Sequence, residues 1–269
     1  MEKSFTSETE RFESGAKKYA AYLETPEGRL RSDLTFANLV DFLPRPQPGT
    51  PLRALDVGCG TGATGVRLAR LGFQVTLLDS SQSMLNLAQR AFEEAGIAGK
   101  ANLQAGSASQ LENLFDDAWF DVIVCHNVLE FVDEAVTLLR DMARKMRDSS
   151  SILSVLVRNR AGEVLKTALL IGDLEAAESS LRAEWGQESL YGGKVRLFTP
   201  HSLQDMLKSS ALTTIAERGV RVLADYLPPQ ISRTAEYARI FELERRLGSL
   251  SEYAAVARYT HCVAERSDQ

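Results

Sequence analysis

The sequence predicts a doubly wound α/β fold. It reads as a seven-stranded, mostly parallel sheet with helices on both faces, an N-terminal helical lid and a helical insertion after strand 5. Three observations carry this. Short, mostly apolar runs such as LRALDV (52–57), FQVTLLD (73–79) and FDVIVCH (120–126) alternate with segments of helical period. Near-continuous apolar strands belong to a parallel sheet covered on both faces. A glycine-rich turn, GCGTG (58–62), follows the first run and opens a helix, which is how such folds present backbone N–H groups to a ligand.

Taken in order, residues 8–22 and 28–42 read as helices, the second with Leu30, Leu34, Ala37 and Val40 at near-helical spacing. PRPQPGTP (44–51) holds four prolines and a glycine. Proline lacks an N–H and fixes φ, so neither helix nor central strand survives there. Residues 1–50 therefore form the lid. Residues 51–157 are the cofactor-binding half: strand 52–57, helix 62–72, strand 73–79, helix 80–96, strand 101–107, strand 120–126, helix 133–147 and strand 151–157. Ser80 or Ser81 caps the second of these helices and Gly96 stops it. Residues 158–198 break the alternation with two helices, 161–171 and 173–185, an insertion over the C-terminal edge of the sheet. Residues 199–269 return to it: helix 199–211 behind Thr199 and Pro200, then strands 212–227 and 253–266 flanking an Arg- and Glu-rich helix at 232–247. The whole is one Rossmann-like domain.

Composition limits the function classes. The 269 residues are 44% apolar and 25% charged, as in soluble globular proteins. No run approaches the roughly 18 apolar residues that span a bilayer. The polar start MEKSFTSETERFES has no basic region followed by an apolar one, so no secretory signal is expected. Cys59, Cys125 and Cys262 show neither metal-ligand nor disulfide spacing. The expectation is a cytoplasmic protein without metal, a monomer or weak homodimer. A net charge of −5 argues against a broad nucleic-acid surface and leaves room for a local basic patch.

The glycine turn is the richest signal. Gly58, Gly60 and Gly62 leave room for a ligand against the backbone. Asp79 lies 21 residues after Gly58 at the end of the second strand, where an acidic side chain commonly holds ribose hydroxyls. A purely structural turn would not need turn, helix and acid in register. The dinucleotide fingerprint G-x-G-x-x-G fails at its last place, which is Ala63. Asp56, inside the strand, would oppose a pyrophosphate but suits a cationic aminoacyl group. S-adenosylmethionine carries an ammonium and a sulfonium and no phosphate, so it is the cofactor the residues favour.

LDVGCGTG with the strand-end Asp79 resembles the motif of class I S-adenosylmethionine-dependent methyltransferases. Within them, GRLRSD (28–33), CHNVLEFVDE (125–134), GVRVLADYL (219–227) and ARYTH (257–261) resemble the bacterial tRNA 5-carboxymethoxyuridine methyltransferase family. The resemblance implies an enzyme that esterifies the carboxylate of 5-carboxymethoxyuridine at the tRNA wobble position. It implies cofactor contacts from Arg31, Asp56, Gly58, Cys59, Gly60, Asp79, Ser80, Met84, Ala108, Ser109 and His126. Arg31 would hold the methionine carboxylate and Asp56 would sit near its amine. Ala108–Ser109 departs from the superfamily pattern, which often has an acidic residue there for the adenine amine.

Methyl transfer is an in-line displacement at an activated carbon. A carboxylate acceptor is ionised at neutral pH and needs no base, so catalysis is mostly positioning and desolvation. A cation is then needed to orient the acceptor. Arg221, Arg258 and Arg158 are candidates, and Tyr226, Tyr259 and His261 either line the pocket or fill the sheet edge. Arg221, Arg258 and Tyr226 make up the expected catalytic set. The insertion GDLEAAESSLRAEWGQESLYGGK (172–194) is acidic, and the arginines of 232–246 are interleaved with Glu236, Glu242 and Glu244. VRNRAG (157–162) keeps only Asn159 and Gly162 of the stretch the tRNA family shows there. A small carboxylic or phenolic metabolite therefore stands as the alternative acceptor, and a non-catalytic cofactor-binding partner as the alternative class.

Overall fold

A computed structural model describes residues 8–45, 51–188, 190–228 and 236–267. The strands are β1 (Arg53–Val57), β2 (Gln74–Asp79), β3 (Ala101–Ala105), β4 (Val122–His126), β5 (Ile152–Arg158), β6 (Trp185–Gln187), β7 (Lys194–Arg196), β8 (Leu212–Val220) and β9 (Tyr259–Arg266). Seven form one sheet in the order β3-β2-β1-β4-β5-β9-β8. β1 to β5 run parallel, and β9 is antiparallel to both β5 and β8. The helices are α1 (Glu8–Leu23), α2 (Pro26–Val40), α3 (Ala63–Arg70), α4 (Gln82–Glu94), α5 (Leu111–Leu114), α6 (Ala135–Lys145), α7 (Arg160–Lys166), α8 (Leu174–Ser179), α9 (Pro200–Ser209), α10 (Tyr237–Ser249) and α11 (Ser251–Ala254).

Alternation along the strands divides the core in two. Leu55, Val57, Ile123, Cys125, Leu153 and Val155 pack with Leu138, Leu139 and Met142 of α6 and Leu203 and Leu207 of α9. Ala54, Val75, Leu77, Val122 and Val124 face the other way, onto Leu68 of α3, Leu85 and Phe92 of α4 and Leu39 of α2. Asp56, His126 and Ser154 fall in the phase of this second face. The first face is therefore mostly apolar, while the second carries buried polar groups toward the C-terminal ends of its strands. Leu30 and Leu34 of α2 extend that second layer over Leu156, Val220 and Tyr259.

Local chemistry fixes the helix starts. Thr25 accepts from the Gly28 N–H at 3.1 Å, with Pro26 at the first turn of α2. Of the two serines at the start of α4, Ser81 is the cap, accepting from the Met84 N–H at 3.1 Å. Thr199 and Ser202 form a reciprocal capping box on α9.

The second half departs from expectation in three places. The first helix of the insertion continues past α7 as a single π turn to Ile171, while the second is only α8 and one 3₁₀ turn. Ala183 is extended, and an antiparallel pair, β6 with β7, follows where helix was expected to run to 185. The strand expected over 212–227 ends at Val220, because Arg221 takes a left-handed φ of 61°. The N–H groups of Val222, Leu223 and Ala224 then leave the ladder for the carboxylate of Glu244 on α10, at 2.6, 2.9 and 2.6 Å. The strand expected over 253–266 starts only at Tyr259, since 251–254 is helical. The helix expected at 232–247 is seen as α10, its residues 232–235 lying outside the described residues, as do residues 46–50 of the proline segment.

Glu244 is fully buried and its three bonds define the turn that closes β8. Replacing it by alanine orphans three N–H groups, each costing about 1–3 kcal/mol when buried. Glu244→Ala is expected to lose several kcal/mol and to lower the thermal midpoint by roughly 10 °C, at about 2–4 °C per kcal/mol. An unchanged unfolding curve would show that the turn does not depend on this carboxylate.

Candidate functional site

Strand order reverses between β1 and β4, so their C-terminal ends part and leave a crevice, the place where open α/β sheets bind ligands. A cleft with about 1030 Å³ of space free of protein atoms, counting its open mouth, lies there. Its floor comes from the strand ends: Gly58 and Gly60 after β1, Asp79 and Ser80 after β2, Gly106 to Ala108 after β3, His126 to Val128 after β4, and Arg158 of β5. Phe12, Tyr19 and Arg31 cover it from the lid, and Glu188, Leu190 and Tyr191 from the connection between β6 and β7.

The turn after β1 needs its glycines. Gly58 and Gly60 have φ of 65° and 53°, and a Cβ on Gly58 would sit 2.5 Å from Val128. Asp79 secures this turn: one carboxylate oxygen accepts from the Gly60 N–H and the other from the Ser81 N–H, both at 2.9 Å. Burial raises its pKa against these bonds. Each oxygen keeps a lone pair for a ligand. The lid is tied to the same spot, because Glu13 of α1 accepts from Ser81 Oγ at 2.6 Å and from Ser83.

A recess continues beneath the lid, lined by Arg31, Asp56, Cys59, Thr61 and His126. Asp56 is 4% exposed, and its Oδ2 has no partner among the described residues. Burial, then the charge of Asp79, pushes its pKa up to about 7, against one N–H bond from Gly65. Arg31 is the counterpart. It donates to Tyr19 Oη at 2.9 Å and lies 5.0–5.7 Å from the ring centres of Tyr19, Tyr22 and Tyr259. Among the described residues it has no carboxylate partner, whereas Arg158, Arg221 and Arg258 all do. A buried cation without a carboxylate partner and a buried carboxylate without a cationic one, among the described residues, share one recess.

His126 is engaged at one nitrogen. Its Nε2 meets Ser154 Oγ at 2.8 Å, and the same hydroxyl meets His261 Nε2 at 2.8 Å. Burial, then His261 and Arg31, holds the His126 pKa well below its ordinary value; burial and Arg218 push His261 down to about 3. Both rings are neutral at physiological pH, and neither is an effective proton acceptor. Burial raises the Cys59 thiol pKa well above normal, so it stays protonated. Met84 and Ala108 line the cleft. Ser109 does not: its hydroxyl turns to Ser107 Oγ at 2.9 Å, and Ser107 faces the cleft instead.

The expected catalytic set is not brought to the cleft. Arg221 pairs with Asp225 and donates to Tyr22 Oη at 3.1 Å. Arg258 donates to Gly162 O at 2.8 Å and pairs with Glu163 and Asp225. Tyr226 Oη donates to Gly162 O at 3.4 Å. These bonds stitch the ends of β8 and β9 to the start of α7, so the two arginines are spent within the protein. Arg158 is the arginine of that trio that reaches the cleft. Glu130 of the VLEF stretch went unread as a site residue. It is 2% exposed, accepts from Asn127 Nδ2 and the Arg158 N–H at 2.9 Å each, and keeps Oε2 unpartnered. Burial raises its pKa. An acid inside an apolar run was the available signal. No group of three or more His, Cys, Asp or Glu among the described residues could hold a metal ion.

Residues 54–149 match the family model described as methyltransferase domain. The chain is 26% identical over 262 residues to the tRNA 5-carboxymethoxyuridine methyltransferase of Escherichia coli, covering 95% of each. It is 29% identical over 177 residues to the ubiquinone biosynthesis O-methyltransferase of Maricaulis maris, covering 65% of this chain and 64% of that one. Among solved structures, an S-adenosylmethionine-dependent methyltransferase of Thermotoga maritima, described as a possible histamine N-methyltransferase, superposes with a TM-score of 0.64 at 15% identity. That match covers 96% of this chain and 99% of the other.

The state of Asp56 is testable without any ligand. With a pKa near 7 in the fold and an ordinary carboxylate value when unfolded, the folded chain holds a proton between about pH 4 and 7 that the unfolded chain has released. Stability therefore falls as pH rises through that window and is flat above it. Asp56→Asn is expected to be more stable than the parent at pH 8, by on the order of 2–4 kcal/mol, with the advantage vanishing toward pH 4. Equal stabilities at both pH values, measured by denaturant titration, would contradict the uncompensated charge.

Proposed function

We propose that this chain, a class I S-adenosylmethionine-dependent methyltransferase, transfers its methyl group to a carboxylate on tRNA, that of 5-carboxymethoxyuridine at the wobble position. The observation that carries the reading is Arg158, buried in the cleft and already facing a carboxylate, that of Glu188. The E. coli tRNA enzyme supports it, since the similarity runs through the substrate-side half as well as the cofactor half.

The residues present fit the cofactor. Arg31 would hold the methionine carboxylate and Asp56, through its unpartnered Oδ2, the ammonium. The backbone of Gly58 to Gly60 would lie against it, with Cys59 and His126 lining the methionine side. Asp79 would take the ribose hydroxyls, and Ser80, Met84, Ser107 and Ala108 would line the adenosine end. The bound cofactor supplies an electrophilic methyl group on a sulfonium.

The acceptor oxygen is anionic, so no side chain has to remove a proton, which matches two neutral histidines and an inert thiol. Arg158 orients the acceptor. Phe12, Tyr19, Phe131 and Tyr191 exclude water, with Tyr191 edge-on to Phe12 at 5.1 Å between ring centres. The cytoplasm, where tRNA is, is the proposed location; no helix among the described residues is long and apolar enough to cross a membrane. The acidic run through Glu175, Glu178 and Glu184 favours a second reading, a small carboxylic metabolite, because a polyanion would avoid that surface.

Two outcomes are expected. Asp79→Ala should weaken S-adenosylmethionine binding by at least about tenfold, the loss of charge-assisted bonds, and should also lower the melting temperature because the Gly60 and Ser81 N–H groups lose their acceptor. Unchanged affinity by calorimetry would refute the ribose assignment. Nucleoside mass spectrometry of tRNA from a strain lacking the protein should show free 5-carboxymethoxyuridine in place of its methyl ester. An unaltered profile, or RNA binding indifferent to salt, would favour the small carboxylate.

A further inference from the structure

The partner of Arg158 comes from outside the sheet. Arg158 closes β5, its own N–H held by Glu130. Glu188 arrives from the connection between β6 and β7, which pair only with each other and not with the seven-stranded sheet. Its second carboxylate oxygen accepts from the Leu190 N–H at 2.7 Å, and its own N–H donates to Gly193 O at 2.9 Å. Both side chains of the pair are buried, 13% and 2% exposed for Arg158 and Glu188. The connection rests on the lid through Tyr191, whose ring lies against Phe12, Tyr19 and Phe131 at 5.1 to 6.3 Å between centres and over Gly15, where a Cβ would come within 2.4 Å of it. A carboxylate is thus delivered to the cleft on a separate two-stranded element. That element is tied to the end of β5 just past β7, where the Phe198 N–H donates to Arg158 O at 3.0 Å and Phe198 O accepts from the Arg160 N–H at 2.8 Å. It rests on the lid through aromatic contacts and a hydrogen bond from Arg11 to Gly192 O.

We propose that Glu188 is a place-holder for the acceptor carboxylate: it occupies Arg158 in the free enzyme and is exchanged for the anionic group of the acceptor. This rests on the reading of the cleft as a carboxylate methyltransferase site. The exchange sets specificity. One carboxylate replacing another leaves Arg158 paired, and Glu188 regains its hydration on leaving. An acceptor of similar shape but without charge would displace Glu188 and strand a buried guanidinium. Removing one partner of a buried pair is strongly unfavourable, on the order of a hundredfold or more in affinity. A neutral phenol or amide is rejected by that penalty rather than by shape, which is discrimination through the cost imposed on the wrong partner. In the free enzyme the pair also keeps Arg158 from being left bare when the cleft holds cofactor alone.

The test uses acetate as the probe, so it does not depend on tRNA. The full-length protein, saturated with S-adenosylhomocysteine, is titrated with acetate and with acetamide and followed by ligand-observed NMR. Glu188→Gln keeps an acceptor for the Leu190 N–H and removes the charge. It should bind acetate at least about tenfold more tightly than the parent. The gain should vanish in the double variant Glu188→Gln/Arg158→Gln, and acetamide should bind neither. Glu188→Ala repeats the test should the glutamine variant fold poorly. In turnover, the KM for tRNA bearing 5-carboxymethoxyuridine should fall in Glu188→Gln while calorimetric affinity for S-adenosylmethionine stays as in the parent. Equal acetate affinity in parent and Glu188→Gln, or a gain that survives loss of Arg158, overturns the place-holder even if tRNA is methylated. The expected acetate behaviour with no methylation of tRNA upholds the place-holder and overturns the tRNA reading alone.

Discussion

Arg31 and Asp56 are buried in the same recess, and among the described residues Arg31 has no carboxylate partner and Asp56 no cationic one. Charges in a protein interior are tolerated when paired and costly when not. Around them the protein supplies only partial relief: the hydroxyls of Tyr19 and Tyr259 and three aromatic faces for Arg31, one backbone N–H for Asp56. The remaining deficit has the shape of a zwitterion, a carboxylate for one and an ammonium for the other. The glycine turn, the ties of Asp79 and the lid over them are arranged about that deficit.

The two faces of the sheet follow from the same constraint. The face covered by α6 and α9 is closed and apolar and supplies the core. The face under α1 and α2 holds the buried polar groups at its upper end; α2 packs onto it through Leu30, Leu34 and Leu39, and α1 is pinned over the cleft through Glu13. Chemistry at such a site asks little of proton transfer. Under the proposed carboxylate acceptor, the low-pKa histidines have no proton to take, and the catalytic work would fall on orientation by Arg158 and exclusion of water.

The cofactor half was legible because its signals are local. β1, the glycine turn and Asp79 fall within one stretch of about 25 residues, and strand and helix periods placed the five strands and the helices α3, α4 and α6 to within a few residues, while the short α5 was not read. Ser107, two residues before Ser109, faces the cleft instead, while Ser109 turns its hydroxyl to Ser107 within the capping box of Ser107 and Gln110. The substrate side was less legible because its determinants are distant in sequence. No local period shows that Glu244 will take three N–H groups from 222–224, or that Asp225 and Glu163 will claim Arg221 and Arg258. The sequence favours Arg221 and Arg258 over Arg158; all three are paired in the fold, and only Arg158 among them lines the cleft.

Proton exchange on cofactor binding tests the central claim most directly. S-adenosylmethionine is titrated into the protein at pH 6 by calorimetry in buffers of different ionisation enthalpy. If an unmatched Asp56, protonated when free, receives the ammonium, it must ionise, and the account predicts release of close to one proton per site. The release should be absent in Asp56→Asn. Binding without proton release in the parent protein would contradict the account.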